Sequence, residues 1–208
     1  MFTEQRRYGL DPTVVTRTKT WGQPKKWQKE AAATNTKQMV FTCSWSDFFI
    51  EQADPWRDEA WKVIKNCPNL IFQVLTKRPE LIQSRLPADW GTGYDNVGLG
   101  VSVENDKYLG RVDLLRQIPA KIHFISAEPL LGSIKDIDLT DIEWLIAGGE
   151  SGPNFRIMDL QWAREIRDKC VANGVAFFYK QGSALLPGRD NVLDGQVWEQ
   201  WPKEWMNP

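Results

Sequence analysis

Six short apolar runs recur along the chain and constrain its fold more than any other feature: Met39 to Cys43, Leu70 to Leu75, Val97 to Val103, Ile122 to Ser126, Trp144 to Ala147 and Val175 to Tyr179. They begin about 22 to 32 residues apart, the length of a strand plus a crossover helix. A run that is apolar throughout, rather than alternating, suits a strand buried on both faces, as in parallel sheets flanked by helices. The predicted fold is therefore α/β, a parallel β/α partial TIM-type barrel of about six strands, either open or closed.

The segments between the runs carry helical punctuation. Pro55 opens PWRDEAWKVIKNC, where Trp56, Ala60, Val63 and Ile64 share a face, and Pro79 opens PELIQSRL at a first-turn position. In DKYLGRVDLLRQIP the apolar face is Tyr108, Leu109, Val112 and Leu115, ended by Pro119; in DLQWAREIRDKCVANG it is Trp162, Ile166 and Cys170, ended by Gly174. The connection from Leu130 to Glu143 has weak periodicity and Gly132, and is predicted to be a loop with a short turn. Three regions result: a basic leading arm over residues 1–38 whose structure the sequence does not define, a β/α core over 39–182, and a Trp-rich cover over 183–208. In the cover, Trp198, Trp201 and Trp205 are expected to pack on the body, an exposed partner site being the alternative.

The 208 residues and their 42% hydrophobic content suffice for one substantial core. No stretch approaches the ~20 apolar residues of a membrane span, and the start, MFTEQRRYGL, has no signal-peptide core. A cytoplasmic protein with no membrane partner is expected. Cys43, Cys67 and Cys170 are too scattered for a disulfide framework or a CxxC metal pair, and no metal ligand is assigned. Net charge is −1, but residues 1 to 39 hold eight Lys or Arg against three acids, +5 against −6 for the remainder. This basic arm is either a solvated surface or a contact for nucleic acid or protein.

Parallel β/α folds bind ligands at the carboxyl ends of their strands. Ser44, Ser46 and Asp47 follow the first run, and Thr76, Lys77 and Arg78 the second. Ser102, Glu104 and Asn105 close the third, and Ser126, Glu128 and Pro129 the fourth. GGESG, residues 148–152, follows the fifth, and Lys180 and Gln181 the sixth. Caps and solvated strand ends explain the short polar residues. Lys77, Glu104, Glu128, Glu150 and Lys180 are long ionisable chains beside apolar strands, and either pair with one another or line a small-molecule site. The GGESG glycines admit close backbone approach, although a tight turn accounts for them equally. The chain has no GxGxxG or GxxxxGK[ST] loop, and its one histidine, His123, is placed inside a strand as a packed residue, so no Ser-His-Asp triad is assigned. The catalytic residues stay unknown.

The ordered set FTCSWSDFF, FQVLTKRPE, GLGVSVEN, FISAEPLLG, GGESG and FFYKQ resembles a phage-associated family of unknown function, the Gp-thirty-seven/sixty-eight type. The resemblance covers Met39 to Gln181 well, residues 1 to 38 loosely and the tail weakly. It implies kinship with radical S-adenosylmethionine enzymes and, for complete members, a [4Fe-4S] cluster held by three N-terminal cysteines with S-adenosylmethionine as cosubstrate. No such cysteine set is present here, so Met1 is expected to begin downstream of it, the chain to be inactive in radical chemistry as given, and no cofactor is assigned to it.

By analogy with related barrels, Gly148, Gly149, Glu150 and Ser151 approach the methionine amine, with Ser102, Glu104, Ser126 and Glu128 adding hydrogen bonds. Ser44, Asp47, Lys77, Arg78, Lys180 and Gln181 are the implied substrate contacts. Two other function classes stand beside this one: a non-enzymatic phage-type binding module for nucleic acid or protein, and a metal-free barrel enzyme acting on a phosphorylated metabolite.

Overall fold

The computed structural model describes residues 2–4, 11, 14–44 and 46–206. Arg6 and Arg7 of the basic arm lie outside the described residues. Strands β1 (Phe2–Glu4) and β2 (Val15–Arg17) pair antiparallel. Helix α1 (Gln23–Ala33) follows, within the arm whose structure the sequence does not define. It buries just Pro24 and Ala31, so no apolar stripe marks it in the sequence.

Six further strands form a parallel sheet in sequential order: β3 (Gln38–Phe41), β4 (Leu70–Thr76), β5 (Val97–Ser102), β6 (Ile122–Ala127), β7 (Trp144–Gly148) and β8 (Ala176–Gln181). This is the topology of a partial β/α barrel, and β4 to β7 are buried along nearly their whole length, as continuous apolar runs require. The connections hold α2 (Asp54–Lys65), α3 (Gly110–Arg116) and α4 (Leu160–Asn173), while Leu130 to Glu143 forms turns without a helix. PELIQSRL departs from its predicted helix and makes two 3₁₀ turns, Pro79–Leu81 and Gln83–Arg85. Pro87 forces Leu86 into an extended conformation, and so short a segment does not sustain α-helical hydrogen bonding. No helix among the described residues is long and apolar enough to cross a membrane.

The chain divides into two compact units, Met1–Leu99 with Ile118–Lys121 and Gly100–Gln117 with Ile122–Asn207. In the first, Trp61 packs edge-on against Phe48 at 4.8 Å and tilted against Trp90 at 5.2 Å between ring centroids. Both indoles are satisfied: Trp61 Nε1 donates to Arg85 O and Trp90 Nε1 to Pro119 O. In the second, Trp144 packs against Trp201 at 4.9 Å and Trp205 at 5.7 Å, and its Nε1 donates to Gln200 O.

The tail forms the hairpin β9 (Val192–Leu193) and β10 (Gln196–Val197), then the short helix α5 (Lys203–Met206). Between hairpin and helix it pairs with β8: Tyr179 N donates to Trp198 O at 2.8 Å and Gln200 N to Phe177 O at 3.0 Å. An edge that would otherwise offer unpaired amides is thereby covered by the chain itself.

Candidate functional site

In the second unit, the carboxyl ends of β6, β7 and β8 meet at Glu128, Gly148 and Lys180. Ala147 pairs with Tyr179, but the next step pairs Gly148 with Gln181, so Lys180 is an inserted residue with no ladder partner on β7. Such a bulge re-aims the side chain it carries. Lys180 Nζ lies 2.9 Å from the Glu128 carboxylate, with the lysine side chain 51% and the glutamate 21% exposed. Gly148 contributes no side chain between them, and its carbonyl accepts from Leu130 N at 2.9 Å.

The remaining residues of GGESG are joined to segment 181–190. Gly149 N donates to Gln181 O, Gln181 Nε2 donates back to Gly149 O, and Gln181 Oε1 accepts from Gly188 N at 2.7 Å. A Cβ at Gly149 would sit 2.4 Å from Ser183 N, so the glycine is required by the chain's own close approach. Ser151 bridges to Ala184, and Glu150 O accepts from Ala184 N.

The Glu150 carboxylate is held by Arg156, which donates from its backbone N and Nε to Oε2, both at 2.8 Å, and from Nη2 to Oε1 at 2.6 Å. The guanidinium, helped by the backbone N–H, holds this carboxyl down at about 2. Glu104, buried after β5, accepts from Arg111 Nη1 at 3.1 Å, and the same nitrogen donates to Ser102 O at 2.8 Å. Ser102 and Ser126 are both buried, and Ser126 O accepts from Val103 N.

The first unit holds the other predicted contacts. Asp47, 8% exposed, accepts from Phe49 N, Thr76 Oγ1, Lys77 N and Arg78 Nη1 at 2.8 to 3.0 Å. It ties the loop after β3 to the loop after β4, and Ser44, Lys77 and Arg78 remain exposed. A second loop tie, absent from the sequence reading, is Arg57: 3% exposed, it donates to Phe48 O and Ile50 O and pairs with Asp54. Arg111 and Arg156 were missed as well. Their only signal is a cation seven residues after Glu104 and six after Glu150.

The three cysteines are buried free thiols. Burial pushes the Cys67 thiol up and the Cys170 thiol up to about 12. Among the described residues, no group of three or more His, Cys, Asp or Glu is arranged to hold a metal ion.

No curated protein and no solved structure matches the chain. The family model described as a protein of unknown function, DUF5131, matches residues 2–202. That match takes in both units and nearly the whole chain, so the protein belongs to the DUF5131 family.

Proposed function

We propose that this chain is a radical-SAM-like partial β/α barrel, and that the ends of β6, β7 and β8 bind the amino-acid group of an S-adenosylmethionine-type cosubstrate. The observation that carries this reading is the Glu128–Lys180 pair, one carboxylate and one ammonium 2.9 Å apart and partly exposed beside Gly148. An α-amino acid presents the complementary pair: its carboxylate takes Lys180 and its ammonium takes Glu128. An exposed ion pair contributes little to stability, so exchanging it for ligand contacts costs little. Arg156 keeps Glu150 ionised two residues after Gly148, and the buried Ser126, on β6, stands two residues before Glu128. The six ordered motifs resemble a phage-associated family that looks related to radical-SAM enzymes, which supports the same reading, and a cytoplasmic location belongs to the proposal.

The residues present do not fit an iron–sulfur cluster. A cluster needs three thiolates held together, whereas Cys43, Cys67 and Cys170 are separate buried thiols that form no group of three ligands among the described residues. The chain's own residues therefore account for binding and orientation alone.

Calorimetric titration with S-adenosylmethionine, S-adenosylhomocysteine, methionine and adenosine tests the site. Saturable binding of the first three, weakened about tenfold or more by Lys180→Ala and by Glu128→Gln, is expected from loss of a charge-assisted hydrogen bond. Absence of binding by all four, or binding indifferent to both substitutions, would overturn the proposal.

A further inference from the structure

At the amino ends of β7 and β8, opposite the cosubstrate site, the second unit holds a recess of about 850 Å³. It lies between the turn before β7, the C-terminus of α4, the start of β8 and the tail from Gln200 to Glu204. The length of β7, roughly 16 Å of extended chain, separates Glu143 at this end from Gly148 at the other. Small-molecule sites commonly enclose ~300–1,000 Å³, so a whole small ligand fits here.

The lining favours positive charge through three different kinds of group. Asp141, Glu143 and Glu204 border the recess against one ammonium, Lys203, and none of the four is in an ion pair among the described residues. Glu143 is half-buried, and its Oε2 accepts from His123 N at 2.6 Å; this anchors the side chain while Oε1 makes no hydrogen bond among the described residues. Burial pushes the Glu143 carboxyl up and the Glu204 charge adds to that rise against the His123 amide, so the two carboxylates feel one another. Helix α4 ends at the recess with no basic residue in its last turn, which leaves the negative end of its dipole uncompensated. Trp201 supplies an aromatic wall, its ring backed by Trp144 at 4.9 Å and Phe178 at 5.0 Å, and indole rings attract cations.

The spread of the carboxylates selects the kind of cation. A metal ion needs ligands that converge on one point, and no group of three or more His, Cys, Asp or Glu among the described residues does so. Separated carboxylates with the apolar surface of Leu139, Val171 and Pro202 between polar groups suit a longer ligand whose charges are also separated. We infer that this recess binds an aliphatic polyamine, a chain of methylenes carrying two or more ammonium groups. Glu143 and Glu204 take ammonium groups, and the methylenes lie along Trp201 and the apolar wall. The inference uses no residue of the cosubstrate site and stands independently of it.

Calorimetric titration of the full chain with spermidine tests it, with putrescine, its uncharged analogue butanediol and magnesium ion beside it. Spermidine is expected to saturate a single site at low salt and putrescine to bind more weakly, while butanediol and magnesium ion fail to displace either. Glu204→Gln, and Glu143→Gln, whose amide oxygen still accepts from His123 N, are each expected to weaken spermidine about tenfold or more through loss of a charged partner. Asp95→Asn, at a side chain 94% exposed in the first unit, is expected to leave binding unchanged. Lys180→Ala is expected to do the same, so that this site and the cosubstrate site fail separately. Circular dichroism melting confirms that each variant is folded. Three results would overturn the inference: no saturable spermidine binding at low salt, binding indifferent to both glutamate substitutions, or displacement of spermidine by an equal concentration of magnesium ion.

Discussion

Arg156 grips Glu150 with both its backbone N–H and its guanidinium, so that each carboxylate oxygen is occupied. The Glu150 carboxyl is thereby held at about 2, against about 4.3 for an unperturbed glutamate. A depressed carboxyl contributes stability that is fully present above the unfolded value and is lost as pH falls through the folded one. The contribution from Glu150 should therefore fade between about pH 4 and pH 2. Arg156 is 61% exposed, so Arg156→Ala should leave the fold intact and return the carboxyl toward its ordinary range. A carbon-detected NMR titration of the glutamate carboxyls checks this; a Glu150 midpoint still near 2 in the variant would show that another group holds it.

Asp47 accepts hydrogen bonds from two loops while 8% exposed. Asp47→Ala strands the Thr76 hydroxyl and the Phe49 and Lys77 amides, and should cost about 3 kcal/mol in urea unfolding. Asp95→Ala, at a side chain 94% exposed, should stay within about 0.5 kcal/mol of the parent. Equal midpoints for the two variants would show that the loop tie is not structural.

Two glycine substitutions should move stability in opposite directions. Gly149→Ala drives a methyl to 2.4 Å from Ser183 N and 2.6 Å from Gly182 C, backbone that cannot swing aside. A loss of about 1–3 kcal/mol is expected. Gly110 begins α3 with nothing within 4 Å of an added Cβ, and Gly110→Ala should gain about 0.5–1 kcal/mol. Thermal unfolding of the pair measures both signs.

Cys67 and Cys170 are buried, and Cys170 has its thiol pushed up to about 12. The native protein should resist iodoacetamide at these two positions at pH 8, where an exposed thiol near its ordinary value reacts, and should take up label at both in denaturant. Mass spectrometry of the labelled peptides decides it. Native labelling of Cys170 would mean that α4 opens readily from the sheet.

Sequence alone determined the β/α rhythm. β3 to β8 begin and end within two residues of the apolar runs; for β4 to β7 this follows because a strand buried on both faces must be largely apolar and that demand is local. Helices α2 and α4 were legible for the same reason, through one apolar stripe each, whereas α1 buries too little to show one and PELIQSRL is too short to keep the helix its proline announces. The charged residues at strand ends were visible as residues, since ionisable chains beside apolar runs stand out.

Only the tertiary structure decided their partners. Asp47 bonds Thr76 across 29 positions and Glu128 meets Lys180 across 52, distances over which no local pattern carries information. Lys180 stands out of the ladder because of a register shift between β7 and β8, and the Gly149 requirement comes from the path of Ser183. Burial pattern is a property of each residue's own neighbourhood in the chain; register and loop path arise from packing whole elements together, and the candidate site is made from those.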